Sequence, residues 1–261
     1  MAGCWGRNVS KTDLEKQTAG TVDLPQMTEA RVRLGRFGAG LPTRAAQAFL
    51  LDHARARQAV WSEVDWVSLR ASLADLGLGA VDLESEARDR GIYLRRPDLG
   101  RKLSPESAER LAGVRPDCDV VIVVADGLSA SAIDANAAPL VRAVVERLLS
   151  RQLVIAPLMF ATQARVALAD PVAEILRARI SIMLIGERPG LSAADSLGVY
   201  ITCSPKTGTP DSRRNCISNI RGGGLSVDAA AEAVMSLVGN MLRTGISGVG
   251  LREALAALPN G

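Results

Sequence analysis

The chain has 261 residues, 48% of them apolar, with only three Trp, two Tyr and three Phe. Leu, Val, Ile and Ala must therefore build the core, which is large enough for one large domain, or one domain and a smaller arm. The 31 basic and 28 acidic residues leave a formal charge of +3, mixed along the chain without interleaved aromatics, which excludes the usual footprint of a nucleic-acid binder.

No apolar run approaches the roughly 20 residues that span a bilayer, so no membrane segment is expected. Residues 1–27 are polar and weakly patterned, without the apolar stretch of a signal peptide or the apolar face of a targeting helix. They are read as a flexible N-terminal extension. Cys4, Cys118, Cys203 and Cys216 form no CxxC or Cys/His cluster, the pattern of reduced thiols in a cytosolic protein rather than of a zinc site.

Helical spacing begins at Leu41: Pro42 and Thr43 open it, and Ala45, Ala46, Phe49, Leu50, His53, Ala54 and Arg57 recur at three- and four-residue steps. His53 is the only histidine, and beside Asp52 it reads as a structural hydrogen-bonding residue. A second helix is expected from Trp66 to Leu76, stopped by Gly77. The charged stretch that follows holds Arg88, Arg90, Arg95, Arg96, Arg101 and Lys102 with Asp89 and Asp98, and carries Tyr93 and Leu94 inside it. Its two readings are a solvated face and a clamp for a partner protein or anion, with Tyr93 and Leu94 inside the charge run favouring a protein interface. Ser104-Pro105 starts a short helix, Ser at N-cap and Pro at N1. Residues 28–112 together are expected to form a helical arm and partner-binding segment.

From about residue 113 the pattern changes. Asp119–Ala125, apolar throughout after Asp119, reads as a strand buried on both faces. A helix from Ser131 to Arg151, a strand from Leu153 to Phe160 despite Pro157, a helix from Ala164 to Arg179 and the apolar run Ile180–Ile185 complete two βαβ units. The predicted fold is therefore α/β, a mostly parallel, doubly wound Rossmann-like sheet with an N-terminal helical arm, its domain covering 113–261. A short strand is expected at Gly198–Cys203 and a polar functional loop at Ser204–Gly224. A long helix from Ser226 to Arg243 and a short one from Gly250 to Ala257 close the chain.

Ligands of open α/β sheets sit at the carboxyl ends of the strands. Two strands end there in distinctive loops, Asp126-Gly127-Leu128-Ser129 and Gly186-Glu187-Arg188-Pro189-Gly190. Their glycines allow close backbone approach, and each loop brings a carboxylate, Asp126 and Glu187. Arg188, and Asn215, Cys216 and Asn219 of the polar loop, complete the candidate wall. No GxxxxGK[ST] is present, no GxGxxG follows a strand, and no GxSxG elbow occurs. No base is placed by pattern to activate Cys216. The chain reads as a binding and presenting subunit with no catalytic group of its own.

The segments YLRRPDLGRKLS, VVIVVADGLSA, RVALAD, IGERPGLSAADSLGVYITCSPKTGTPDSRRNCISNIRGGGLS and SGVGLREAL closely resemble the small (light) chain of ethanolamine ammonia-lyase, from about Arg33 to Leu255. The resemblance implies one half of an adenosylcobalamin-dependent enzyme that converts ethanolamine to acetaldehyde and ammonia by a radical route. Its implied partner is a large TIM-barrel subunit, with the corrinoid lying between the two chains. The resemblance carries cobalamin contacts onto Val166 of RVALAD, Glu187 of GERPG and Cys216 of RNCISN. It also implies a bacterial cytoplasmic location. Packaging in an ethanolamine-utilising microcompartment stays open, because residues 1–27 lack the amphipathic face of a packaging segment. The alternative reading is a stand-alone corrinoid-binding module or regulator without a lyase partner.

Overall fold

A computed structural model describes residues 40–257. The chain divides into two compact units between Leu50 and Leu51. The described part of the first is the opening of helix α1, Thr43–Trp61. The second unit holds all the remaining elements. The expectation for residues 1–27 lies outside the described residues.

The second unit is a mixed α/β structure around one six-stranded sheet. In chain order its elements are α2 (Trp66–Leu73), β1 (Ala80–Glu84), α3 (Arg90–Arg95), α4 (Pro105–Ala112), β2 (Val120–Ala125) and α5 (Ala130–Ser150). Then come β3 (Leu158–Thr162), α6 (Ala169–Ile175), β4 (Ile180–Gly186), β5 (Leu197–Cys203), β6 (Arg214–Ile220), α7 (Val227–Thr244) and α8 (Leu251–Ala256). The strands lie in the order β1-β3-β2-β4-β5-β6. The first four are mutually parallel, β5 pairs antiparallel with β4, and β6 pairs antiparallel with β5.

The register explains why β2 reads as an unbroken apolar run and β4 as a nearly continuous one. Val120, Ile122 and Val124 stand beside Ile180, Ile182 and Leu184, and all six belong to one core cluster with the inner faces of α5 and α7. Val121, Val123 and Ala125, with Met183 and Ile185, belong to the cluster on the opposite face, packed with α6 and Leu111 of α4. Successive side chains of a strand point to opposite faces, so helices on both sides keep these strands apolar at nearly every position, Ser181 of β4 being a buried polar exception. Side-chain caps fix the helix starts: Ser104 on α4, Ser129 on α5 and Ser226 on α7 each accept the N–H three residues on.

Four expectations are corrected. The helical arm over residues 28–112 is interrupted by β1, an edge strand paired parallel to β3. Its sequence AVDLE hides it, since only Leu83 is buried, and edge strands tolerate charge. The strand expected at Leu153–Phe160 begins at Leu158; Pro157 has no N–H for the ladder, and residue Ile155 makes only an isolated bridge to Val120. The helix expected over Ala164–Arg179 is a 3-10 turn, Val166–Leu168, followed by the shorter α6. The polar loop Ser204–Gly224 contains β6, antiparallel to β5. The sheet turns antiparallel after β4 because only Glu187–Ser196 joins β4 to β5, whereas a parallel crossover needs about a dozen residues or more.

Candidate functional site

The chain leaves β2 for β3 on one side and returns to β4 on the other. The carboxyl ends of β2 and β4 are therefore neighbours at the point where the winding reverses. Two glycines make this junction tight. Gly127 lies in the left-handed region at φ 58°, and a Cβ there would strike the Gly186 carbonyl oxygen. A Cβ on Gly186 would strike the carbonyl oxygens of Ser129 and Asp126. The glycines of both loops thus serve close backbone packing of loop on loop.

Asp126 is consumed by the same junction. Its Oδ1 accepts from the N–H of Gly127 at 2.8 Å and of Ala164 at 3.2 Å. Its Oδ2 accepts from the Gln163 N–H at 2.9 Å and pairs with Arg90 Nη1 at 3.3 Å. Burial pushes this carboxyl above the ordinary range, and the Gln163 N–H and the Arg90 guanidinium oppose that rise. With both oxygens filled from inside the protein, Asp126 is a structural cross-link and not a free ligand group.

Arg90 was hidden in the charged segment, yet it is a pillar of the site. Its guanidinium also donates to Gly127 O at 2.8 Å and to Val60 O at 2.6 Å. It lies 4.8 Å from the centre of the Tyr93 ring, and Arg165 lies 4.2 Å from it. Tyr93 is fully buried and donates to Ala164 O at 3.0 Å. The segment read as a possible partner clamp therefore folds back and fixes residues 163–165. The signal was Tyr93 itself, an aromatic placed among arginines, a pairing that stabilises through cation–π attraction.

Val166, Glu187 and Cys216, distant in sequence, converge. A depression of about 370 Å³ is lined by Arg101, Arg165, Val166, Tyr200, Arg214 and Cys216, among others. A smaller one of about 140 Å³ is lined by Gly127, Arg165, Val166, Gly186, Glu187 and Tyr200, among others. Arg165, Val166 and Tyr200 belong to both, so the two form one concave wall at the carboxyl ends of β2 and β4. Tyr200 lies at its centre and was missed in the sequence, because a Tyr in a strand reads as ordinary packing.

Cys216 stands directly opposite Tyr200 in the β5–β6 ladder. The residue keeps an exposed surface. Partial burial nevertheless pushes the thiol above its ordinary value, against the lowering effect of the neighbouring Tyr200 hydroxyl and with a further rise from Glu187. Glu187 Oε2 accepts from Ser196 Oγ at 2.5 Å and from the Asn219 N–H at 3.3 Å, while Oε1 packs over Gly198, 2.9 Å from where a Cβ there would stand.

The remaining candidates separate from this group. Asn215 precedes Cys216, and alternation turns its side chain to the other face, where Oδ1 accepts from the Gly248 N–H at 2.6 Å. The Asn219 side chain is bound to Arg221 Nε at 2.9 Å, so this residue reaches Glu187 only through its backbone. Arg188 is exposed and lines neither depression. One further pair lies beneath the wall: Arg214 holds Asp170 in a two-pronged bridge at 2.6 and 2.7 Å, with side chains 3% and 1% exposed.

The sequence matches a family model described as "Ethanolamine ammonia-lyase light chain (EutC)" over residues 19–252. It is 47% identical over 232 residues to the ethanolamine ammonia-lyase small subunit of Rhodopseudomonas palustris (strain BisA53), covering 88% of this chain and 89% of that one. The small subunit of Bradyrhizobium diazoefficiens is 48% identical over 239 residues, covering 90% of this chain and 91% of that one. That of Azotobacter vinelandii (strain DJ / ATCC BAA-1303) is 47% identical over 234 residues, covering 88% and 87%. This chain therefore belongs to the ethanolamine ammonia-lyase small-subunit (light-chain) family.

Proposed function

We propose that this chain supplies one wall of an adenosylcobalamin seat in an ethanolamine ammonia-lyase hetero-oligomer, completed by a large TIM-barrel subunit and inactive without it. The reaction is the conversion of ethanolamine to acetaldehyde and ammonia. The observation that carries this reading is the convergence of Val166, Glu187 and Cys216 around Tyr200 at the carboxyl ends of β2 and β4. The donor set suits a broad plate edged with amides. Val166 and the Tyr200 ring offer apolar surface, while the half-exposed Glu187 carboxylate offers an acceptor for an amide N–H.

When bound, the cofactor supplies the radical chemistry. This chain's own part is to orient that group and to shut water from its edge. Glu187 is pre-positioned by Ser196 and the Asn219 backbone, so it loses little freedom on binding. Cys216, with its raised pKa, stays a neutral thiol at neutral pH and serves as a contact rather than a nucleophile or metal ligand.

The surface left for the large subunit includes α1. Of its residues only Ala59 is buried, and Leu51 and Trp61 are more than half exposed. Exposed apolar side chains on one helix favour a partner surface.

Co-expression with a cognate large subunit, followed by cobalamin titration and an acetaldehyde assay, tests the whole reading. The pair is expected to bind adenosylcobalamin and release acetaldehyde, and neither chain alone to do so. A co-purifying pair that neither binds cobalamin nor turns over ethanolamine refutes it. Tight cobalamin binding by this chain without any large-subunit association would favour a stand-alone corrinoid module.

A further inference from the structure

We infer that the buried Asp170–Arg214 pair is the positioning element of the wall, holding Val166 and Cys216 at a set separation. The inference rests on the reading of that wall as a corrinoid seat. Val166 begins the 3-10 turn that runs directly into α6, and Asp170 lies in the first turn of α6. Arg214 opens β6, and Cys216 follows two residues later on the same strand face. The ion pair therefore joins the element that carries one candidate contact to the element that carries the other.

Arg214 makes more bonds than a single pair requires. Beyond Asp170, its guanidinium donates to Thr209 O at 2.7 Å, Asp211 Oδ1 at 3.2 Å and Thr202 Oγ1 at 3.3 Å. Thr202 is its neighbour in the β5–β6 ladder, so the same side chain also braces β5, which carries Tyr200. Burial pushes the Asp170 carboxyl up, and the Arg214 guanidinium counters that rise.

Two charges taken out of water cost stability, and well-packed apolar residues of similar volume often serve the fold as well or better. What apolar packing lacks is direction. A planar fork on a carboxylate fixes distance and orientation together. The corrinoid wall needs that property, because its contacts come from three separate elements. Asp170 itself does not line the depression that holds Val166, Tyr200 and Cys216; it lines the neighbouring one beside Thr207–Asp211. It is thus a positioning residue, acting through Arg214 and α6.

The test uses the full chain in complex with its large subunit, as wild type, Asp170→Asn, Arg214→Lys and the double variant Asp170→Leu/Arg214→Met. Three quantities are measured: melting temperature, amide hydrogen exchange of Val166–Leu168 and Arg214–Ile217 without cofactor, and the Kd for adenosylcobalamin. Asp170→Asn is expected to speed exchange in both segments together and to weaken cobalamin binding about tenfold, the low end of the range for groups that orient a ligand-contacting residue. The double variant is expected to regain the melting temperature without regaining affinity. Wild-type affinity in the double variant, or unchanged exchange and affinity in Asp170→Asn, overturns the inference. If Asp170→Asn does not fold, Arg214→Lys decides by the same readouts, since one ammonium cannot span both carboxylate oxygens. If the wild-type complex binds no cobalamin, the proposed function fails. Exchange then settles the clamp: joint loosening of the two segments supports it and unchanged exchange refutes it.

Discussion

Replacing Asp126 by Asn changes one atom's chemistry and almost no volume, so its consequence follows from hydrogen bonding alone. Each carboxylate oxygen receives two donors: Oδ1 from Gly127 and Ala164, Oδ2 from Gln163 and Arg90. An asparagine offers one oxygen and one NH2. Whichever way the amide turns, its NH2 meets two groups that can only donate. With the amide oxygen on the Oδ1 side, the Gln163 N–H and the Arg90 cation lose their acceptor. With the oxygen on the other side, the N–H groups of Gly127 and Ala164 lose theirs.

Each buried donor left unpaired costs about 1–3 kcal/mol, and stripping one partner from a buried ion pair costs about 3–5 kcal/mol. A loss of roughly 3–4 kcal/mol is therefore expected for Asp126→Asn. At about 2–4 °C per kcal/mol for a chain of this size, the melting temperature falls by about 6–16 °C. Urea denaturation of the full chain should show a lower midpoint at unchanged slope. A variant within about 1 kcal/mol of wild type would refute the assignment of Asp126 as a structural cross-link and return it to the list of free ligand groups.

Other outcomes are expected nearby. Glu187→Ala removes an acceptor that water can replace at a half-exposed site, so stability should fall by no more than about 1.5 kcal/mol. Cobalamin retention in the complex should weaken about tenfold, the equivalent of ~1.4 kcal/mol; unchanged affinity would remove Glu187 from the wall. Gly186→Ala drives a methyl into the carbonyl oxygens of Ser129 and Asp126, so insoluble expression or loss of the native near-UV signal is expected. A soluble variant with wild-type melting would contradict the packing of β2 against β4. The raised pKa of Cys216 leaves less thiolate at pH 8 than an unperturbed thiol has. Iodoacetamide labelling of the folded chain, read site by site by mass spectrometry, should be slower at Cys216 than in the urea-unfolded chain and should rise steeply above pH 9. Equal rates at pH 8 would contradict the burial of its sulfur.

The buried elements were legible because a single force sets their pattern. A strand covered on both faces has little room for polar side chains, so VVIVVA and ISIMLI, with Ser181 its one polar residue, declare themselves, as do the Ser-capped starts of α4 and α7. The edges were not legible. In β1 and β6 the outward positions face water, so AVDLE and RNCISNI carry charges and amides that local propensity assigns to loops. Their pairing comes from β3 and β5, which lie far along the chain or beyond a turn.

For the wall the division is similar. Val166, Glu187 and Cys216 could be named from their motifs, and their loops could be placed at strand ends. That they meet around Tyr200, while Asp126 is spent on four internal donors and Asn215 faces the opposite side, depends on register. A shift of one residue in β6 would exchange the faces of Asn215 and Cys216. Register is set by pairing between distant segments, and so by the whole sheet together with the buried Asp170–Arg214 bridge that ties α6 to the start of β6.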